Sequence, residues 1–331
     1  RMSGWEPHDV QNLLLTVLTS PWTLLAGPPG VGKSTLARDV LGQLGAHRDS
    51  DRYRELVVRR DWHDDTALFG YWHPQRDEWM PSTDGLVELL LRAEHAAREG
   101  HGALFAVLLE ELNLASPEHY LSRVISALED RAPVVHLYDE GLAPANAGRY
   151  PSRVRLGSNV RLVGTVNVDD TVERLSPRFL SRSAVVWVEP ALEQLLHPPP
   201  KAPLAAEALD WAALVAHVGR LPRPDLGPLI EVFELLLKHR VDGAPTPRTV
   251  RGVEAYLAAS DGLLPRRVAE DYCLSQRVLP GLRGVGEHVG ESFEQLARLL
   301  RRQGWERSAA RCERMRERGA LAGHFYDFFH G

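Results

Sequence analysis

The stretch GPPGVGKST at 27–35 constrains this chain more than anything else in it. It matches GxxxxGK[ST] in full, and it stands between a short apolar run, WTLLA at 22–26, and a helical segment that begins at Ser34. Strand, glycine-rich loop and helix in that order make a phosphate cradle. The glycines let backbone N–H groups close around an anion, and the helix N-terminus adds its positive end. Gly27, Pro28, Pro29, Gly30, Val31, Gly32, Lys33, Ser34 and Thr35 are therefore the expected nucleotide-binding residues. Lys33 is expected on the β- and γ-phosphates and the Ser34 hydroxyl on Mg²⁺. The chain has only three lysines (Lys33, Lys201, Lys238) against 36 arginines, and one of the three stands here.

A phosphate cradle needs an acidic strand end beside it to hold the metal and orient the attacking water. LFAVLLEE at 104–111 supplies an apolar run of strand length followed by two carboxylates. Glu110 is expected to hold Mg²⁺ and Glu111 to polarise the water. A further buried run, 160–165, leads into Asn167, placed to touch a γ-phosphate. Arg178 and Arg182 follow on a short helix, where an arginine can complete a neighbouring subunit's site.

Around these motifs, apolar runs alternate with amphipathic ones: a helix over 7–19, strands near 22–26, 54–60, 103–109, 160–165 and 184–188, and helices at 34–44, 85–99, 117–130 and 175–182. Such alternation specifies a parallel sheet with helices on both faces. An aromatic hairpin or loop at 66–82 and an interrupted hairpin at 133–157 read as inserts, candidates for pore or partner contacts. HPPPKAP at 197–203 is a stiff connector. Beyond it 204–218, 228–240, 246–260, 265–277 and 291–318 are helical in period, with no strand evident. The expected division is an α/β core over 1–195 and a helical lid over 196–331.

Composition excludes other classes. With 44% hydrophobic and 25% charged residues, the 331-residue chain is neither disordered nor fibrous. Two cysteines make no disulfide framework, which fits a reducing cytoplasmic setting. No apolar run reaches the roughly 18 residues of a membrane span. The opening RMSGWEPHDV lacks a signal's apolar region, and its arginine start is what a fragment presents. A net charge of −5 excludes a protein basic over its whole surface but not a local basic groove. His63, Asp64, Asp65 and His73 read as a polar loop between aromatics rather than metal ligands. The helix at 301–318, with seven arginines and three glutamates, reads as a solvated or intersubunit face. No lysine sits in a Glu-x-Lys pair beside a strand, so a nuclease site of that kind is not expected in this chain.

Three segments carry a resemblance: DWHDDTALFGYWHP at 61–74, LLEELNLASPEHYLSRVISALED at 108–130 and GTVNVDDTVERLSPRFLSRS at 164–183. Together they resemble the McrB-like branch of AAA+ ATPases, related to MoxR-type ATPases, over about 20–190. SQRVLPGLRG at 275–284 extends the likeness weakly. NLASPEHY and GTVNVDD are the specific parts. The resemblance implies a Walker B pair in Glu110 and Glu111, with Asn113 in the same signature. It also implies sensor 1 at Asn167, a finger at Arg182 and a sensor 2 helix beginning with GAPTPR at 243–248. That last segment points to Arg248, with Arg251 the alternative. It further implies an α/β AAA+ core with a helical lid, a homo-oligomeric and expectedly hexameric ring, an McrC-like nuclease partner and DNA as the ultimate substrate.

Two departures stand out. Glu110 replaces the aspartate usual in that branch, and no specificity domain precedes the P-loop in this sequence. ATP is the expected nucleotide. The missing NKxD motif does not exclude GTP, because McrB uses GTP without it. Two other functions compete with the restriction motor: a MoxR-like protein remodeller, and a nucleotide-sensing scaffold with little turnover.

Overall fold

The computed structural model describes residues 7–130, 132–169, 172–189, 210–239 and 241–329. Five parallel strands form the central sheet: β1 (Trp22–Gly27), β2 (Tyr53–Val57), β5 (Phe105–Glu110), β8 (Val160–Asn167) and β9 (Ala184–Trp187). Their order is β2-β5-β8-β1-β9, so one strand is inserted between the loop-bearing strand and the acidic one. The continuous apolar runs explain this burial. Along β5, Phe105, Val107 and Leu109 face one packed layer, while Ala106 and Leu108 face the other.

On one face α1 (Pro7–Thr19) and α2 (Lys33–Gln43) pack over Leu25, Leu108 and Val163. On the other lie α4 (Leu86–Arg98) and the small elements of the two inserts. The first insert is α3 (Thr66–Phe69) followed by the antiparallel pair β3 (Tyr71–His73) and β4 (Glu78–Met80). The second pairs β6 (Val134–His136) with β7 (Arg153–Arg155). The helical run at 117–130 divides into α5 (Pro117–Tyr120) and α6 (Ser122–Ala127). A short α7 (Pro177–Leu180) precedes β9, with Phe179 edge-on to Trp22 at 4.8 Å.

The proline connector at 197–203 and the expected boundary near 195 lie outside the described residues. Past them, α8 (Trp211–Val218) packs near the start of β8: the Trp211 Nε1–H donates to Ser158 O at 2.9 Å, and the Arg161 guanidinium lies over its ring. The remaining helices are α9 (Leu229–Lys238), α10 (Pro247–Ser260), α11 (Arg266–Cys273), α12 (Glu287–Arg302) and α13 (Glu306–Leu321).

This region differs from the sequence expectation in three ways. It contains strands, β10 (Arg283–Val285) and β11 (Phe325–Asp327), which pair antiparallel across some forty residues. Three-residue strands carry too little alternation to register as a period. The run at 291–318 is two helices, broken where Gly304 takes φ +74°, a left-handed turn that ends a helix. Finally, Arg311 on the arginine-rich helix faces inward. Its guanidinium stacks on Trp187 of β9 and on Phe328 and donates to Phe328 O at 2.7 Å. Burial pushes its pKa down to about 9. Arg301 on the outer side is paired with Glu313 and Glu306. Among the described residues no helix is long and apolar enough to cross a membrane, and no cluster of potential metal ligands occurs. Asp64 instead accepts from the Thr66 N–H, and Asp65 pairs with Arg123.

Candidate nucleotide site

The C-terminal ends of β1, β5 and β8 meet at one edge of the sheet. Strand β1 runs into the loop at Gly27, where a Cβ would lie 2.3 Å from the Val188 carbonyl oxygen, so only glycine lets the chain pass. Gly32 takes φ +86° and caps α2 without a side-chain hydrogen bond, leaving the first-turn amides open. Those amides, the loop and an ammonium form a cationic cradle whose donor set suits a phosphate chain. Ser34 and Thr35 follow on the first turn of α2, Ser34 half-buried and Thr35 exposed.

Lys33 is buried and folds across its own loop, donating to Gly27 O at 2.9 Å and Pro28 O at 2.7 Å. Burial lowers its pKa to about 8, against the opposing pull of Asp169 and Glu111. The lysine, the acidic strand end and the segment after β8 thus share one electrostatic neighbourhood. Asn167 pairs in register with Gly27 and stands beside the mouth of the loop. Asp169 belongs to GTVNVDD but was not singled out from sequence. Its proximity to Lys33 arises only once β8 lies beside β1.

Glu110 ends β5, and its carboxylate is engaged. It pairs with Arg38, one turn beyond Ser34 on α2. Arg38 also binds Glu55 at 2.8 Å, and Arg48 binds the same carboxylate at 2.5 Å. Burial opposes ionisation of Glu55, but hydrogen bonds from Arg48, Arg38 and Tyr53 overcome it and bring its pKa down to about 2. Sequence reasoning missed Arg38, because nothing in the local pattern of α2 marks an arginine reaching two other strands. Glu111 has φ 53° and ψ 45°, left-handed for a residue with a side chain, and its N–H donates to Thr165 Oγ1 at 2.9 Å. Asn113 is buried and grips the peptide of Asn167 from both sides: Nδ2 donates to Asn167 O at 2.9 Å, and the Asn167 N–H donates to Oδ1 at 3.1 Å.

The arginines lie elsewhere. Ala184 is level with Thr23 and Trp187 with Ala26, so Arg182 precedes the start of β9 beside the beginning of β1. Gly27 lies four residues further along β1, about 13 Å at 3.3 Å per residue. Arg182 and Arg178 both pair with Glu129, which their charges and hydrogen bonds hold below the usual carboxylate range. Arg182 lines a cavity of about 300 Å³ together with Arg248, Arg251 and Arg277. Burial, and then the charge of Arg248, lowers its own pKa. The structure therefore brings Lys33, Glu111 and Asn167 together at one end of the sheet. It groups Arg248 and Arg251 with Arg182 at the other, away from Lys33.

Residues 23–183 match the AAA domain (dynein-related subfamily). Residues 223–325, from just before α9 into β11, match a domain of unknown function, DUF8727. No curated protein matches the chain.

Proposed function

With residues 23–183 forming an AAA+ ATPase domain, we propose that the chain is the McrB-like motor of a DNA-directed restriction system, hydrolysing ATP at sites shared between subunits of a hexameric ring in the cytoplasm. The observation that carries the shared site is the separation just described. A transition state gathering charge on the γ-phosphate calls for a guanidinium. Arg38 beside the loop is committed to Glu110 and Glu55, while Arg182, Arg248 and Arg251 sit at the wrong end of the sheet to serve their own loop. A neighbour packed against that loop supplies them. NLASPEHY and GTVNVDD support the McrB-like branch, and with it an McrC-like nuclease that cuts DNA.

Mg²⁺ neutralises and orients the phosphates when nucleotide is bound. Ser34 and Glu110 are the residues to hold it, Glu111 polarises the attacking water, and Asn167 contacts the water and the γ-phosphate. The Arg38 pair of Glu110 favours a second reading, a nucleotide sensor with slow turnover, because the carboxylate must exchange one cation for another. Measuring ATP and GTP hydrolysis with and without DNA, and with an McrC-like nuclease, separates the readings. ATP turnover stimulated by DNA and nuclease is expected. Tight binding with no turnover under any condition supports the sensor. Stimulation by a protein substrate alone supports a MoxR-like remodeller.

Lys33 gives the site a pH dependence. A phosphate beside the ammonium favours the charged form that burial disfavours, so binding above pH 8 draws a proton onto Lys33. Affinity is expected to be flat below pH 7 and to fall as pH rises through about 8. Calorimetry in buffers of different ionisation enthalpy should show uptake near zero at pH 7, rising toward about one proton per site by pH 9. Constant uptake across that range would remove Lys33 from the phosphates.

A further inference from the structure

The ladder between β5 and β8 ends at the pair Leu109–Gly164, two residues before Glu111 and three before Asn167. Beyond it two side chains take over the work of the backbone. The Thr165 hydroxyl, 3% exposed, accepts the Glu111 N–H at 2.9 Å. The Asn113 amide, also 3% exposed, donates to the carbonyl of Asn167 and accepts from its N–H, as a neighbouring strand's peptides would. Asn113 is tied in turn to Glu173, whose N–H donates to Asn113 O at 2.8 Å.

Glu111 needs such support. Its left-handed backbone turns the side chain off the pleat of β5, and an L-residue stays there only where its surroundings over-determine it. The 3-10 turn Leu112–Leu114 closes behind it, with the Leu114 N–H on Glu111 O at 2.8 Å. Thr165 holds the front.

We propose that Thr165 and Asn113 are positioning residues that extend the sheet by one rung made of side chains and so hold Glu111 and Asn167 at the fixed spacing that water activation beside a γ-phosphate requires. The proposal rests on the reading of Glu111 as the water-polarising group. Neither residue touches nucleotide. Each acts through the backbone of the residue it holds, and a displacement near 1 Å at such a group lowers turnover by up to about a hundredfold while leaving binding intact.

The test compares Thr165→Val, which keeps the shape and loses the acceptor, with Thr165→Ser, which keeps the hydroxyl. Asn113→Asp serves as a second variant of equal volume that sets a carboxylate oxygen against the Asn167 carbonyl, and Glu111→Gln as the control. Each is assayed for nucleotide Kd, kcat, KM and Tm. Thr165→Val and Asn113→Asp should lower kcat about ten- to a hundredfold with Kd and KM within about twofold of the parent, and Thr165→Ser should retain most of kcat. If Thr165→Val does not fold, the kcat-to-KM split of Asn113→Asp decides. Parental kcat in the folded variants, beside an inactive Glu111→Gln, overturns the proposal alone. Parental turnover by Glu111→Gln overturns the reading of Glu111 and the proposal with it.

Discussion

Glu111→Gln is expected to bind ATP with the parent's affinity and to hydrolyse it at least about a hundredfold more slowly, the usual loss when a general base is removed. Lys33→Ala is expected to fail at the earlier step, losing nucleotide binding itself. The two differ because of where each group stands. Lys33 lies inside the loop, its ammonium already bonded to the carbonyls of Gly27 and Pro28 and ready to turn toward a phosphate. Glu111 sits past the end of β5, exposed, with its backbone held by Thr165. Glutamine preserves that backbone, the side-chain volume and most hydrogen bonding; only the capacity to take a proton disappears. Equilibrium binding of a fluorescent ATP analogue, followed by phosphate release, distinguishes the two defects. Equal hydrolysis by Glu111→Gln and the parent would remove Glu111 from the chemistry.

The contrast between these groups also explains what could be read before the fold was known. GPPGVGKST is local: the strand, the glycines, the lysine and the helix follow one another, and the cradle forms from nine consecutive residues. The sheet was legible too, because 105–109 is an unbroken apolar run and 160–166, buried on both faces, is interrupted only by Arg161, Gly164 and Thr165. The order β2-β5-β8-β1-β9 has no local trace, yet it puts Asn167 beside Gly27 and Asp169 near Lys33. Arg38 belongs with the same hidden part. On α2 it reads as an ordinary solvated arginine, but it grips Glu110, the residue whose extra methylene set it apart from the related branch. The same holds for β10 and β11, and for the pocket that gathers Arg182, Arg248 and Arg251 from segments about seventy residues apart. Long-range contacts leave no period in the sequence, and this chain builds its site from them.

Arg182→Ala is expected to bind nucleotide normally and hydrolyse it poorly, and to regain activity when mixed with Lys33→Ala. The geometry of β9 is the reason. Phe179 is clamped edge-on beneath Trp22, and the short helix it belongs to delivers Arg182 to the start of β9, about 13 Å along the sheet from its own loop. There the side chain is held by Glu129, and burial, followed by the charge of Arg248, lowers the proton affinity of Arg182. Like charges gathered in one cavity of about 300 Å³ repel one another until an anion enters, and the γ-phosphate of an adjoining subunit is an anion of the right kind. In a mixed ring, an Arg182→Ala subunit contributes an intact loop with Lys33, and a Lys33→Ala neighbour contributes an intact Arg182. One interface in such a pair is whole, so two inactive proteins should together recover part of the parent's turnover. Arg178 offers the internal control. It shares Glu129 at 2.8 Å but is more exposed than Arg182, with 57% against 11% of its side chain accessible. Arg178 does not line the cavity that gathers Arg182, Arg248 and Arg251, and Arg178→Ala should lose much less. If mixed rings demonstrably form and no activity returns, while Arg178→Ala proves inactive, the finger is Arg178.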